Sequence, residues 1–319
     1  MLDTIKIIRA KLSQVVDSQG LPLYDEREVR ALADLLLEEV CGITRTDRLM
    51  HPERILAAKE RTRLSSIVAQ MEQGVPVQQA LGYAWFYGMR FEVSPDVLVP
   101  RPETAELVDW IVTDLRSRPT SSSDVSSPVS KPLSICDIGT GSGCIAISLA
   151  RCFEDARVLA IDVSSAALNI ARRNACQQNV DNLQFAQIDI LEYVDNLDSN
   201  IENTSKNNTF PQGYQHLDII VSNPPYVCRN EAAQMSEIVL EHEPEVALFV
   251  PDDDPLLFYR AIARLGQKHL KKGGFLYFEI NAAFGEATCQ LLGQMGYRNV
   301  ELRRDITGRD RMVKAALYS

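Results

Sequence analysis

The chain has 319 residues, 45% of them apolar and 24% charged, and a formal net charge of −10. That length accommodates two domains and that composition is ordinary for a globular protein. The acidic balance argues against a broad phosphate-binding face, and seven cysteines without a Cys-x-x-Cys pair suggest neither a zinc site nor a disulfide frame. No apolar run approaches about 18 residues and the start is not signal-like, so the expectation is a cytoplasmic protein with reduced thiols and no membrane span.

The first eighty residues read as helical. Asp25 and Glu28 have the spacing of an N-cap and its partner. Val29, Leu32, Leu36 and Val40 recur at helical period, and Gly42 comes next as a stop. A second helix is expected to start near Pro52, to carry Ile67, Val68 and Met71 on one face, and to end at Gly74. Such short amphipathic helices must bury a stripe against one another. They suit a structural cap or a substrate-docking domain, and His51 reads as a solvated or capping residue.

Aromatic and β-branched residues flank Tyr87-Gly88 between Gly82 and Val93, which predicts a hairpin joining two domains. The expected division is a helical domain over 1–81, a hairpin linker over 82–100 and an α/β domain over 101–319. Val99-Pro100-Arg101-Pro102-Glu103-Thr104 then opens a helix through Leu107, Val108 and Ile111. Prolines on both sides hold Arg101 on a stiff loop. From spacing alone it can meet an anionic group or pair with Glu103. Residues 117–131 are Ser- and Pro-rich and predict a solvated loop.

Leu133 to Ile138 reads as a strand, Gly139-Thr140-Gly141-Ser142-Gly143 as a turn, and Cys144 to Ala150 as the start of a helix. Glycines let a backbone approach a ligand closely. A dinucleotide loop calls for Gly-x-Gly-x-x-Gly; Cys144 stands at the position of the last glycine, so a ligand with adenosine and an amino-acid tail fits better than a pyrophosphate. Asp137, just before the loop, can face that tail's ammonium group. A second strand, Arg157 to Ile161, ends in Asp162, whose carboxylate can accept both ribose hydroxyls or cap the next helix. Phe185 to Asp189 is expected to end a third strand, placing Asp189 and Ile190 for an adenine amine and ring face. Residues 195–215 read as a second solvated insertion.

The fourth strand is the apolar run Ile219-Ile220-Val221, leading into Ser222-Asn223-Pro224-Pro225-Tyr226. Two prolines end the strand and stiffen the turn beyond it. In an open α/β sheet this edge is where ligands bind. The Asn223 side chain and the Pro224 carbonyl offer two acceptors for a planar NH2 group, and Tyr226 can stack on a flat amide or base. An sp2 nitrogen is a poor nucleophile because its lone pair is delocalised. A strong electrophile is needed, and a sulfonium methyl donor supplies one. The remaining elements complete the sheet: a helix over Leu256–Leu270 broken by Gly273-Gly274, a strand from Phe275 to Ile280, a helix from Phe284 to Met295, and strands around Val300–Leu302 and Met312–Leu317. Gly308-Arg309-Asp310-Arg311 reads as a hairpin turn with a local ion pair. Glu241-His242-Glu243 lacks a spaced partner histidine, so no metal site is expected.

Taken together, these residues resemble the release-factor glutamine N5-methyltransferases of the HemK/PrmC type. The marks are Val99-Pro-Arg-Pro-Glu-Thr104, Asp137-Ile-Gly-Thr-Gly-Ser-Gly143, Asn223-Pro-Pro-Tyr226, Glu243-Pro-Glu-Val-Ala-Leu248 and Gly308-Arg-Asp-Arg311. The resemblance runs from about Asp25 onward, apart from the two polar insertions. It implies a Rossmann-like class I S-adenosylmethionine-dependent methyltransferase with a small N-terminal helical domain. It implies that Gly139, Thr140, Gly141, Ser142, Gly143, Asp162, Asp189, Ile190 and Asn223 bind the donor. It also implies that Asn223, Pro224, Pro225, Tyr226 and Arg101 meet the Gly-Gly-Gln loop of a class 1 peptide chain release factor. Asn223, Pro224 and Tyr226 would carry the chemistry, with no metal, membrane or stable nucleic-acid partner. Asp254-Pro255 and Phe284-Gly285 depart from the family pattern outside those motifs. A ribosomal-protein glutamine methyltransferase, an adenine-N6 DNA methyltransferase and an inactive donor-binding protein are the competing readings.

Overall fold

The computed structural model describes residues 2–117, 132–199 and 208–318. The Ser- and Pro-rich stretch expected to be a solvated loop falls almost entirely outside them. In chain order the elements are α1 (Leu2–Leu12), α2 (Glu26–Cys41), α3 (Arg45–Met50), α4 (Ala58–Met71), α5 (Val77–Leu81), β1 (Tyr83–Phe86), β2 (Met89–Glu92), α6 (Pro102–Arg116), β3 (Ser134–Ile138), α7 (Cys144–Cys152), β4 (Arg157–Asp162) and α8 (Ser165–Gln177). Then come β5 (Leu183–Gln187), α9 (Ile190–Ser199), β6 (Leu217–Ser222), β7 (Val227–Cys228), α10 (Glu237–His242), α11 (Glu245–Leu248), β8 (Phe249–Val250), α12 (Leu257–His269), β9 (Leu270–Glu279), α13 (Gly285–Gln294), β10 (Tyr297–Arg304) and β11 (Asp310–Leu317).

The chain divides into two compact units, one of residues Met1–Tyr83 with Met235–Glu243, the other of Ala84–Gln234 with Pro244–Ser319. In the first, α2 starts with the expected reciprocal cap: Asp25 accepts from the Glu28 N–H, and the Glu28 carboxylate accepts from the Asp25 N–H. Val29, Ala33, Leu36 and Leu37 of α2 meet Leu64, Ile67, Val68 and Met71 of α4 and Ile5, Ile8 and Leu12 of α1 in one core. The helix expected from near Pro52 to Gly74 is α4, which starts later than expected, and a separate short helix, α3, ends before Pro52. Thr44 and Asp47 cap α3 eight residues earlier, and α4 begins only at Ala58, where Glu60 reaches back to the Ala57 N–H at 2.7 Å. His51 comes after the end of α3 and does not open a helix. The return segment Met235–Glu243 is held in this unit by Ile238 against the core, by Glu237 accepting from the Ser18 N–H at 2.8 Å, and by Gln79 donating to the His242 carbonyl at 2.8 Å.

The second unit is built on a seven-stranded sheet in the order β10-β11-β9-β6-β3-β4-β5. β3, β4, β5, β6 and β9 are parallel, and β11 and β10 close one edge antiparallel. Successive residues alternate between two cores: Val158, Ala160, Ile219, Val221 and Tyr277 face one with α6 and α7, while Leu159, Ile161, Ile220, Leu276 and Phe278 face the other with α9 and α12. Burial on both faces is why the strands read as continuous apolar runs. The expected hairpin forms, turning at Tyr87 (φ 49°) and Gly88 (φ 72°). The strand order reverses between β3 and β6, the position at which an open α/β sheet leaves a crevice beyond its carboxyl ends.

Three sequence expectations shift. Helix α12 stops at His269, and Gly273-Gly274 lies inside β9. A Cβ on Gly274 would meet the Lys271 carbonyl at 2.9 Å and the Leu217 carbonyl at 3.1 Å, so the glycine permits close approach of β9 to β6. Strand β5 ends at Gln187, two residues before Asp189. Within the expected insertion 195–215, residues 195–199 continue α9 and Phe210 and Tyr214 are buried, Phe210 stacking on His269 with centroids 4.2 Å apart. Two large aromatic rings decide against solvation there.

Candidate active site

One cleft lies at the carboxyl ends of β3, β4 and β6, and three groups of residues line much of it. The first is the turn after β3. Gly139, Gly141 and Gly143 all have positive φ (70°, 55° and 83°), the region open to glycine. Gly139 and Thr140 donate to the Ile161 carbonyl, which ties the turn to β4. A Cβ at Gly139 or Gly141 would meet nothing within 4 Å, and both residues line the cleft with Thr140 and Ser142. Gly143 does not. A Cβ there would sit 2.9 Å from Ile147 Cδ1 and 3.1 Å from Ala171 Cβ, so its role is contact between α7 and α8.

The second group is acidic. Asp162 ends β4 and lines the cleft. Its Oδ2 accepts from the Gly141 N–H and its Oδ1 from the Ser164 N–H, both at 2.9 Å. Each oxygen keeps a free lone pair for a hydroxyl. Burial lifts its pKa, and the backbone donors oppose the rise. Asp189 also lines the cleft and caps α9 through the Leu191 and Glu192 N–H groups, with Ile190 beside it. Asp137, expected to face an ammonium tail, is not among the cleft-lining residues. It is fully buried; Oδ2 accepts from Thr140 Oγ1 at 2.7 Å and from the Ala146 N–H at 3.2 Å, and Oδ1 has no partner. Burial, chiefly, pushes its pKa up to about 7.

The third is the proline turn after β6. Asn223, Pro224 and Pro225 line the cleft, as do Pro100, Arg101 and Thr104 from the start of α6 and Pro244, Val246 and Ala247 near α11. Asn223 Nδ2 donates to Thr104 Oγ1 at 3.3 Å, and Thr104 Oγ1 donates to Glu279 Oε2 at 2.6 Å. Tyr226 stands outside the lining. Its hydroxyl donates to the other Glu279 oxygen at 3.1 Å, and its carbonyl accepts from Asn281 Nδ2. Glu279 is buried; that burial raises its pKa, while Thr104, Arg311 and Tyr226 act to lower it. Tyr226 is pushed up in turn, by burial first and by the Glu279 charge second.

Thr104 and Glu279 carry geometry that motif reading did not assign to them. Thr104 was visible only as the end of a motif. Glu279 had a fainter signal: a lone carboxylate in the run Phe275-Leu276-Tyr277-Phe278-Glu279-Ile280, where a buried charge needs a reason. The cleft walls between the turns are apolar, with Ile138, Ile161, Ile188 and Phe258. The lining carries three carboxylates (Asp96, Asp162 and Asp189) and one guanidinium (Arg101), a balance that suits a cationic ligand and opposes a pyrophosphate. Among the described residues no helix is long and apolar enough to cross a membrane, and no group of three or more His, Cys, Asp or Glu is arranged to hold a metal.

Residues 130–279 match the methyltransferase domain family, and residues 23–82 match the PrmC N-terminal domain family. The chain is 42% identical to the release factor glutamine methyltransferase of Bacteroides thetaiotaomicron, over 92% of this chain and 94% of that one. It is 39% identical to the enzyme of the same name from Flavobacterium psychrophilum, over 97% and 98%. The chain belongs to the release factor glutamine methyltransferase family. Among solved structures, the catalytic domain of hMettl16 in complex with a MAT2A 3'UTR hairpin superposes with a TM-score of 0.51 at 16% identity, over 82% of both chains, a likeness of fold alone. Membership in the family agrees with the resemblance carried by the glycine turn, the proline turn and the Pro-Arg-Pro-Glu-Thr block, and with the presence of an α/β domain and a small helical domain.

Proposed function

We propose that this protein transfers a methyl group from S-adenosylmethionine to the side-chain amide nitrogen (N5) of the glutamine in the Gly-Gly-Gln loop of class 1 peptide chain release factors. The strongest support is that the glycine turn with Asp162 and the Asn223-Pro224-Pro225 turn line one cleft. The donor fits the residues present: open backbone at Gly139 and Gly141, spare lone pairs on Asp162 for a ribose, apolar walls for a base, and an acidic surround for a cation.

When bound, S-adenosylmethionine supplies an electrophilic sulfonium methyl. The protein's part is to hold the acceptor. Asn223 Oδ1 and the Pro224 carbonyl accept the two N–H bonds of the glutamine amide, which fixes its plane and orients its nitrogen. The same two oxygens stabilise positive charge as it develops on that nitrogen. Holding reactants in place can take roughly 7–11 kcal/mol off a barrier, more than the roughly 10²–10⁴-fold that a general base supplies, and the acidic methylated amide cation then releases its surplus proton to water. Tyr226, outside the cleft, steadies the turn through Glu279 and Asn281, and Arg101 meets the polar backbone of the incoming loop. Residues 1–81 would form a docking domain for the factor, 82–100 its linker and 101–319 the catalytic domain. Leu49, Met50 and Ile55 are exposed on the helical unit and are candidate contacts. Translation termination factors act in the cytoplasm, and the enzyme would act there with them.

The test is mass spectrometry of the Gly-Gly-Gln peptide after incubation of purified class 1 factor with this protein and S-adenosylmethionine. One added methyl on the glutamine side chain is expected. An unmodified peptide, or methyl transfer to adenine in DNA instead, overturns the reading.

A further inference from the structure

We infer that Glu279 is a positioning residue: acting through Thr104, it dictates which end of the Asn223 side-chain amide faces the cleft. The inference rests on the amide clamp proposed above and concerns how its polarity is set. An asparagine amide can present either its oxygen or its NH2 to a site, and the two ends have nearly the same shape. Only the oxygen can grip a substrate NH2. Something must therefore select it before the substrate arrives.

The selection comes from counting protons. An ionised carboxylate accepts hydrogen bonds and donates none. Glu279 is 1% exposed and receives two hydroxyls, Thr104 on Oε2 and Tyr226 on Oε1. The 2.6 Å contact from Thr104 has the length of a hydroxyl donating to an anion. Thr104 has a single hydroxyl proton, and it is committed to Glu279. Its oxygen is left as an acceptor only. The Asn223 group 3.3 Å away must then be the NH2 end, which turns Oδ1 toward the cleft that Asn223 lines. Tyr226 is constrained by the same rule, its proton committed to the other oxygen. One buried charge thus sets the donor–acceptor sense of both polar side chains of the Asn223-to-Tyr226 turn.

Replacing the charge reverses the logic. In Glu279→Gln the new amide can donate to Thr104. The threonine proton is then free to reach Asn223, the asparagine amide turns over, and its NH2 faces the substrate NH2. Thr104→Val removes the acceptor while keeping the shape. Thr104→Ser keeps it.

The experiment is steady-state methylation of purified class 1 release factor by the full-length wild type and the three variants, with S-adenosylhomocysteine affinity and thermal midpoint measured alongside. The expected result is a fall in kcat of roughly 10–100-fold for Thr104→Val and Glu279→Gln, below the roughly 10²–10³-fold cost of deleting a preorganised polar group outright, because Asn223 itself remains and still samples the productive orientation. Cofactor-product affinity and KM should move less than about threefold, and Thr104→Ser should stay within about threefold of wild type, far below the loss expected for a preorganised group. A second measurement needs no turnover: the side-chain amide protons of Asn223, followed by NMR in the substrate-free protein, should be slowed in exchange in the wild type and in Thr104→Ser, and fast in Thr104→Val. Wild-type-like kcat in Thr104→Val, a serine variant as impaired as the valine one, or unchanged amide exchange overturns the inference. Should the wild type fail to methylate the factor, the proposed function falls, and the NMR comparison still decides whether Thr104 orients Asn223.

Discussion

Strands β3 and β6 are neighbours, and each ends in a turn at the cleft backed by a buried carboxylate. The two carboxylates are served differently. Glu279, behind the proline turn, has a hydroxyl on each oxygen. Asp137, behind the glycine turn, has two donors on one oxygen and none on the other. The turns differ to match. One is stiffened by Pro224 and Pro225, whose φ angles are fixed by covalent rings. The other runs through three glycines at positive φ and is held by hydrogen bonds. A fully satisfied buried charge can fix a geometry. A half-satisfied one stores free energy that depends on its protonation, since an unpartnered buried polar atom costs about 1–3 kcal/mol.

The largest effect should come from the stiff side. In Asn223→Ala the cleft loses one of its two acceptors. Turnover on release factor should fall by roughly 10²-fold or more, by comparison with the removal of one preorganised polar group elsewhere. Binding of S-adenosylhomocysteine should persist, because the glycine turn and Asp162 are untouched. Near-normal kcat in this variant would break the assignment of the proline turn to the acceptor.

On the glycine side, Gly143→Ala should act on packing. Its φ of 83° strains any residue with a Cβ, and that atom would press on Ile147 and Ala171. The expected loss is about 2–3 kcal/mol of stability from left-handed strain and overpacking together, read by urea denaturation. An alanine at Gly141, where a Cβ meets nothing, should show only the strain. Equal losses at the two positions would mean that space between α7 and α8 is not what Gly143 provides.

Asp137 gives the next effect, with a sign that can be worked out. Its pKa is near 7 in the fold, against an unperturbed value of about 3.9. Between those values the folded state binds more protons than the unfolded state, so the stability contributed by this group is highest below about pH 4 and declines as pH rises toward 7. In Asp137→Asn the amide oxygen still accepts from Thr140 and Ala146, and no charge can form. The variant should match wild type near pH 4 and exceed it at pH 8 by roughly 2 kcal/mol, a discounted form of the full linkage. Parallel pH profiles of the two proteins in chemical denaturation would remove Asp137 from the comparison.

How much of this was legible in the residues obeys the same physics. The sheet, the glycine turn, the Asn-Pro-Pro-Tyr turn and the capped helix at Asp25 were readable because each depends on local pattern: period, proline, glycine or capping spacing. Thr104 and Glu279 were not assigned, because their meaning is a contact between residues 175 apart. The return of Met235–Glu243 to the helical unit was invisible for the same reason, as its partners Ser18 and Gln79 lie more than 150 residues away. Phe210 and Tyr214 misled differently. Two aromatic rings in a polar stretch leave no periodic signal, and only the tertiary fold shows that both are buried.

A third buried titratable group tests whether burial alone, away from the cleft, has the effect attributed to it at Asp137. His269 ends α12 beneath Phe210, with Nε2 against the Tyr193 hydroxyl at 2.9 Å and Nδ1 without a partner. Burial, with smaller effects from Lys268 and His216, brings its pKa down to about 4. A histidine with a lowered folded pKa binds fewer protons than it does in the unfolded chain between about pH 4 and 6.5. The stability it contributes is therefore complete above pH 6.5 and lost as pH falls through that window. This is the opposite slope to that of Asp137 over overlapping pH. After discounting for partial solvent screening, the loss should be about 1–2 kcal/mol by pH 4. His269→Gln keeps a polar partner for Tyr193 and cannot be protonated, so its stability should be flatter across the same range. Measured together, Asp137→Asn should steepen the acid side of the curve and His269→Gln should flatten it. If both changes moved the curve the same way, desolvation would not be the common cause.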